Sequence, residues 1–191
     1  GLGVLTAILV RAGQRMGYQV IFSDKKGLAI RNGGVFGHVT FMHRDLPISP
    51  IVPYGKAELI FGVDVLAAAR GTDPNVNFRV AHPSRTTAVV NTAKNPTIRT
   101  LMGEDDFDPE ALIATIRART REIVSGDFAA FSEDVAGSKL YANIMMMGAA
   151  FQRGFLPFSE DAIVNAIKDS VRREDLDENL RVFHAGRRFV V

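Results

Sequence analysis

Residues 53–70 read PYGKAELIFGVDVLAAAR. A short apolar run, AELIF (57–61), is followed within a few residues by Asp64 and then by VLAAAR. The run has strand character. An aspartate directly before a run of helix formers is a helix N-cap, because its carboxylate accepts a bond from a backbone N–H that the first turn leaves unpaired. A strand that hands over to a capped helix is the unit from which parallel sheets are made, since parallel neighbours require a crossover.

The same alternation extends in both directions. Upstream, VLTAILVRAGQRM (4–16) predicts a helix with a broad apolar side and Gly17 as its C-cap, followed by strands at YQVIF (18–22) and VFGHVTFM (35–42). Downstream, residues 71–85 are loop-rich and TTAVVN (86–91) predicts a fourth strand. Asp108-Pro109-Glu110 opens a helix expected to run to about Val124, and DFAAF (127–131) predicts a fifth strand. Helices are expected over about 139–152, 159–171 and 175–186, the second capped by Ser159-Glu160-Asp161. Short apolar strands alternating with helices predict an α/β fold: a doubly wound, mostly parallel sheet with helices on both faces. No repeat or low-complexity linker interrupts it, so residues 1–191 are expected to form a single domain. The chain opens on a helix where such a fold normally has a strand, so the first strand and the residues before Gly1 are expected to be missing from this sequence.

Composition narrows the function. A net charge of only +2, with no long basic run, speaks against nucleic acid as a partner. No apolar stretch reaches the roughly 20 residues of a membrane span, and no signal peptide is recognisable. The absence of cysteine excludes disulfides, thiol catalysis and cysteine-ligated iron–sulfur clusters within this chain, and it suits a cytoplasmic protein.

Two stretches are rich enough in glycine to hold a site. Gly1-Leu2-Gly3 at a helix start is similar to the glycine turn of a dinucleotide-binding unit, and Asp24 sits where a ribose-binding acid would. Thr6 occupies the third glycine position, and a tight turn that binds nothing is the stronger reading of this stretch. The second is DKKGLAIRNGGVFGH (24–38). Gly27, Gly33 and Gly34 permit backbone shapes closed to other residues, Asn32 tolerates left-handed geometry, and Lys25, Lys26 and Arg31 suit a phosphate or carboxylate. Composition leaves a phosphate cradle and a plain surface loop equally open. The stretch lies between two strands, so it lacks the positive helix end that a cradle would use.

The remaining features read as structural. His38, His43, His82 and His184 show no metal-ligand spacing, and neither HExxH nor a GxSxG elbow nor a Walker lysine motif is present. Glu104-Asp105-Asp106 reads as a solvated run. Met145-Met146-Met147 cannot share one helix stripe and fit a helix buried on several sides, where Ala142, Gly148, Ala149 and Ala150 would allow close packing.

In order, the segments GLGVLTA (1–7), GLAIRNGGVFGHVTF (27–41), PYGKAELIFGVDVLAAAR (53–70), TTAVVNTAKNPT (86–97), YANIMMMGAAFQRGFLPFSEDAIVNAI (141–167) and ENLRVFHAGRR (178–188) resemble the gamma subunit or domain of 2-oxoacid:ferredoxin oxidoreductases, most of all the indolepyruvate type. The resemblance covers nearly the whole chain. It implies a doubly wound α/β domain that packs against thiamine-binding subunits and, in some relatives, helps close the substrate and coenzyme A side of their active site. It implies oxidative decarboxylation of 2-oxoacids by the complex, with acyl-CoA as product where coenzyme A is the acceptor and ferredoxin as electron acceptor. Thiamine diphosphate, Mg and iron–sulfur clusters would belong to partner subunits, leaving this chain with no catalytic residue, cofactor or metal of its own and inactive alone. Lys26, Gly27, Arg31, Asn32, Gly33 and Gly34 would form a basic interface loop on the coenzyme A side. A free-standing dinucleotide-binding oxidoreductase using Gly1, Gly3 and Asp24, and a plain interaction module, are the rival readings.

Overall fold

The computed structural model describes residues 2–26, 35–43, 47, 49–76, 79–95, 101–103 and 106–189. The chain divides into two compact units. One, here the sheet unit, comprises Asp24–Phe36 and Pro53–Asp127; the other, the helical unit, comprises Gly1–Ser23, Gly37–Val52 and Phe128–Val191.

The sheet unit contains β3 (Leu59–Gly62), α2 (Val65–Thr72), β4 (Thr87–Asn91), α3 (Pro109–Ala118) and β5 (Glu122–Gly126). The three strands form a parallel sheet in the order β3-β4-β5, with Leu59 opposite Thr87 and Thr87 opposite Glu122. Each crossover is a helix whose start is legible in the chain. Asp64 accepts from the Ala67 N–H at 2.9 Å, and Asp108 accepts from the Glu110 N–H at 3.0 Å with Pro109 in the first turn. Both helices pack on the face of β4 that presents Ala88 and Val90, burying Val65 and Ala68 from α2 and Ile113 and Ile116 from α3. Val89 on the opposite face is fully buried too, so the strand is covered on both sides, as a continuous apolar run in a parallel sheet demands. At Gly62 a Cβ would stand 2.7 Å from the Cβ of Ala68, so glycine lets α2 lie directly on the end of β3.

Here the sequence reading needs three corrections. The helix from Pro109 stops at Ala118 instead of reaching Val124, and β5 occupies Glu122–Gly126. Thr120 turns its hydroxyl back onto the Ile116 carbonyl at 2.9 Å, and the Arg121 N–H donates to Thr86 O at 2.7 Å, which starts the β5 ladder. Pairing with β4 decides the state of the short Ile123-Val124 run, and periodicity alone cannot. Residues 127–131, read as a strand, instead begin a helix, α4 (Phe128–Ala136), which buries Phe128 and Ser132 one turn apart. The expected single parallel sheet is also divided. Among the described residues β1 (Gln19–Lys26) and β2 (Val35–Met42) pair with each other in a separate two-stranded sheet. The eight residues between them are too few for the crossover that parallel pairing needs.

The helical unit is built from α1 (Leu2–Arg15), the inner parts of β1 and β2, α4, α5 (Ala142–Gln152), α6 (Glu160–Lys168) and α7 (Leu176–Arg188), with short 3-10 turns at Lys139–Tyr141 and Arg173–Asp175. Gly17 ends α1 at φ +80°. Its N–H donates to Gln14 O, and the Tyr18 N–H reaches back to Gly13 O, both at 3.0 Å, the bonding of a Schellman cap. α5 is buried from Ala142 through Ala150 without interruption. Met145, Met146 and Met147 are all inside, so core packing accounts for the methionine run, and the small residues beside it admit α7 at close range. α1 lies along α6, held by an Arg15–Asp169 ion pair and by Arg11 donating to Ser170 Oγ at 2.7 Å.

Candidate functional site

The basic, glycine-rich stretch is carried by the β1–β2 ribbon, as its position between two strands predicts. Gly27, Arg31, Asn32, Gly33 and Gly34 lie outside the described residues; Lys26 closes β1. What is described is the seat of the ribbon. At Gly13 of α1 a Cβ would come within 2.7 Å of the Phe41 ring and 3.0 Å of Val20, so the helix presses on the ribbon at its base. Phe41 meets Phe158 edge-on with centroids 5.0 Å apart, and Tyr18 stacks on His43 at 4.6 Å. Further toward the loop, Phe22 lies 3.5 Å from where a Cβ on Gly37 would sit and is 44% exposed. An aromatic ring over a cross-strand glycine restores the side-chain contact that glycine lacks. The inner part of the ribbon is therefore braced by a helix and an aromatic cluster.

His38, on β2, is part of that bracing. Its Nδ1 accepts the Val52 N–H at 3.3 Å, which requires an unprotonated Nδ1, and burial pulls its pKa below the ordinary value. His43 stacks on Tyr18. His82 Nδ1 accepts the Ser84 N–H at 3.2 Å within its own loop, and His184 lies 3.9 Å from Glu160. The four histidines thus take separate structural places. No group of three or more His, Asp or Glu side chains suited to a metal occurs among the described residues. Asp106 is fully exposed, and its hydrogen bond to Lys94 holds its carboxyl below the usual range; Glu104 and Asp105 lie outside the described residues.

The glycine turn fares differently. Gly1 lies outside the described residues, whereas Gly3 is inside α1, with open space around the position of a Cβ. Asp24 lies within β1, since the strand runs on to Lys26. Among the described residues β1 pairs with β2 alone.

One grouping escaped the sequence reading. Arg79 lies over the ring of Tyr54, its guanidinium carbon 3.9 Å from the ring centroid. The Pro53-Tyr54-Gly55 turn was a visible signal for an outward-facing tyrosine. Nothing in the spacing of 54 and 79 announces that they meet.

Comparison with known proteins adds three findings. A family model described as pyruvate ferredoxin/flavodoxin oxidoreductase matches residues 1–189. An indolepyruvate oxidoreductase subunit, IorB, of Archaeoglobus fulgidus is 28% identical over 195 residues, covering 97% of this chain and 89% of the relative. Two solved structures share the fold. The gamma subunit of a keto/oxoacid ferredoxin oxidoreductase from Geobacter sulfurreducens gives a TM-score of 0.64 at 14% identity, covering 98% of this chain and 91% of that one. The pyruvate oxidoreductase subunit PORC from Thermotoga maritima gives 0.61 at 18% identity, covering 98% and 90%.

Proposed function

From membership of the pyruvate ferredoxin/flavodoxin oxidoreductase family, to which this chain belongs, we propose that it is the gamma-type subunit or domain of an indolepyruvate-like 2-oxoacid:ferredoxin oxidoreductase. The observation that carries the reading is the end-to-end match. The family model runs through both units, and the relative named as an indolepyruvate oxidoreductase subunit aligns over nearly its whole length. The same continuity supports treating residues 1–191 as one functional domain.

In this reading the complex decarboxylates a 2-oxoacid oxidatively, forms an acyl-CoA and passes electrons to ferredoxin in the cytoplasm. The chain has no cysteine to offer an iron–sulfur cluster. We therefore assign the clusters, thiamine diphosphate and its Mg to partner chains, and coenzyme A to their shared active-site side. This chain packs against the catalytic subunits. Lys26 and Arg31 contact a carboxylate or phosphate there, while Gly27, Asn32, Gly33 and Gly34 set the path of the loop. The braced ribbon is what such a loop needs, because a contact held in place loses less entropy on binding. No helix among the described residues is long and apolar enough to cross a membrane.

The test is reconstitution. Purified alone, the chain is expected to turn over no 2-oxoacid; with the thiamine-binding and iron–sulfur chains that co-purify with it, ferredoxin reduction appears. Arg31→Ala is expected to raise KM for substrate or coenzyme A in the assembled complex. Turnover by the isolated chain, or a complex fully active without it, would sink the proposal.

A further inference from the structure

Two turns of the sheet unit lie side by side at the amino-terminal rim of its parallel sheet. The first spans Pro53–Lys56: the Lys56 N–H donates to Pro53 O at 3.1 Å, and Gly55 adopts φ +67° at the third position. This is the type II geometry that glycine favours, and it leaves Tyr54 at the second position, 54% exposed. The second turn spans residues 82–85, closed by the Arg85 N–H on His82 O at 3.1 Å and by the Ser84 N–H on His82 Nδ1. Two bonds stitch the turns together and a third braces the second turn. The Ala57 N–H donates to Val80 O at 3.0 Å, Thr86 Oγ1 donates to Ala57 O at 2.6 Å, and the same hydroxyl oxygen accepts the His82 N–H at 2.8 Å.

On this frame sit Lys56, Arg79 and Arg85. Among the described residues only Glu58 opposes them, 3.7 Å from Arg85 and itself 84% exposed. Neither Lys56 nor Arg79 has a carboxylate within ion-pair distance among the described residues. Three cations against one carboxylate leave an excess of two positive charges, as much as the whole chain carries. The Arg79 guanidinium sits over the Tyr54 ring, and its Nε is buried without a hydrogen-bond partner. A stacked guanidinium has already given up side-chain freedom and part of its water, so it has less to lose on meeting a carboxylate.

We infer that this rim, Tyr54 with Lys56, Arg79 and Arg85, docks a carboxylate-rich segment of a partner polypeptide in the same complex. The unopposed charge selects an acidic partner, and the exposed tyrosine ring beside it gives a polypeptide apolar area that a free anion could not use. Tyrosine and arginine are the residue types that dominate interface energetics. The inference rests on the subunit reading above but concerns a surface separate from the 27–34 loop.

The experiment is assembly of the purified chain with its co-purified partner chains, followed by sedimentation across a salt series. The Lys56→Glu/Arg79→Glu double variant is compared with a Lys168→Glu/Arg173→Glu control on the helical unit and with Arg79→Lys. The rim reversal is expected to weaken association about tenfold or more and to flatten its salt dependence. Arg79→Lys falls between, and the control matches wild type. Circular dichroism melts of the free variants separate misfolding from lost docking. If wild type assembles and the folded rim reversal assembles equally well, the docking surface is overturned while the subunit reading stands. If wild type itself fails to assemble, the subunit reading fails and takes this inference with it.

Discussion

Gly148 and Gly186 lay bare backbone against each other's helices. A Cβ on Gly148 would drive into the carbonyl oxygen of Phe183, and a Cβ on Gly186 into that of Met145. The crossing of α5 and α7 is thus set by two hydrogens in place of two methyl groups. Alanine is ordinarily the better helix former, by about 1 kcal/mol. Here the clash reverses that preference, because a backbone carbonyl cannot step aside as a flexible side chain can. Gly148→Ala and Gly186→Ala are each expected to lower the denaturation midpoint, at a cost of about 1–3 kcal/mol or more. Gly3→Ala in α1, with open space around it, should be neutral or mildly stabilising. Urea titrations of the three variants check the contrast.

A smaller version of the same test lies in the sheet unit. Gly62→Ala would bring two methyl groups to 2.7 Å and crowd Val90 at 3.1 Å. Ala68→Gly should relieve much of that clash. A double-mutant cycle between positions 62 and 68 is therefore expected to show favourable coupling of about 1 kcal/mol. Strict additivity would mean that α2 does not rest on β3 as described.

The caps give a third expectation. Asp64→Ala removes the acceptor for Ala67 N–H, and Ser159→Ala removes the one for Ala162 N–H at 3.2 Å. Each should cost about 1 kcal/mol, with glycine at the same positions costing less. The denaturant midpoint would move while the slope stays constant, since the folded core is unchanged.

His38 sets a pH dependence. Its folded-state pKa lies below the ordinary 6.5 because burial disfavours the charged ring. Below 6.5 the unfolded chain binds the proton more readily than the folded one. The stabilisation from neutral His38 is therefore fully present above that value and is lost as pH falls through the depressed folded pKa. Protonation also removes the Nδ1 acceptor for the Val52 N–H. Chemical denaturation at pH 8 and pH 5.5 should show a loss for wild type that His38→Asn reduces. An unchanged slope in the variant would assign the pH dependence to other groups.

Much of the fold was legible because its signals are local. Asp64, Asp108-Pro109 and Ser159 each mark a helix start through bonds made within three residues, and all three helices begin there. Gly17 likewise marks the end of α1 through its own φ angle. The misread region, Arg119 to Phe131, has no such punctuation. Ile123-Val124 becomes a strand because β4 supplies a ladder, and Phe128 becomes helical because a partner ring, Phe189 at 4.6 Å, receives it from 61 residues along the chain. That the basic stretch falls between two strands was legible from the apolar runs on either side of it. The Tyr54–Arg79 stack was not, since the fold alone brings together residues 25 apart in the chain.

The helical unit also has an order of events written into it. α1 is synthesised long before α6, the helix it lies against; Arg11 and Ser170 are separated by 159 positions. Between them the whole of the sheet unit emerges, with its short βα steps and its own core. Contacts close in sequence form sooner than distant ones. During translation α1 is thus an early product waiting on a late partner. A chain stalled before about residue 160 carries α1 with no α6 to lie against.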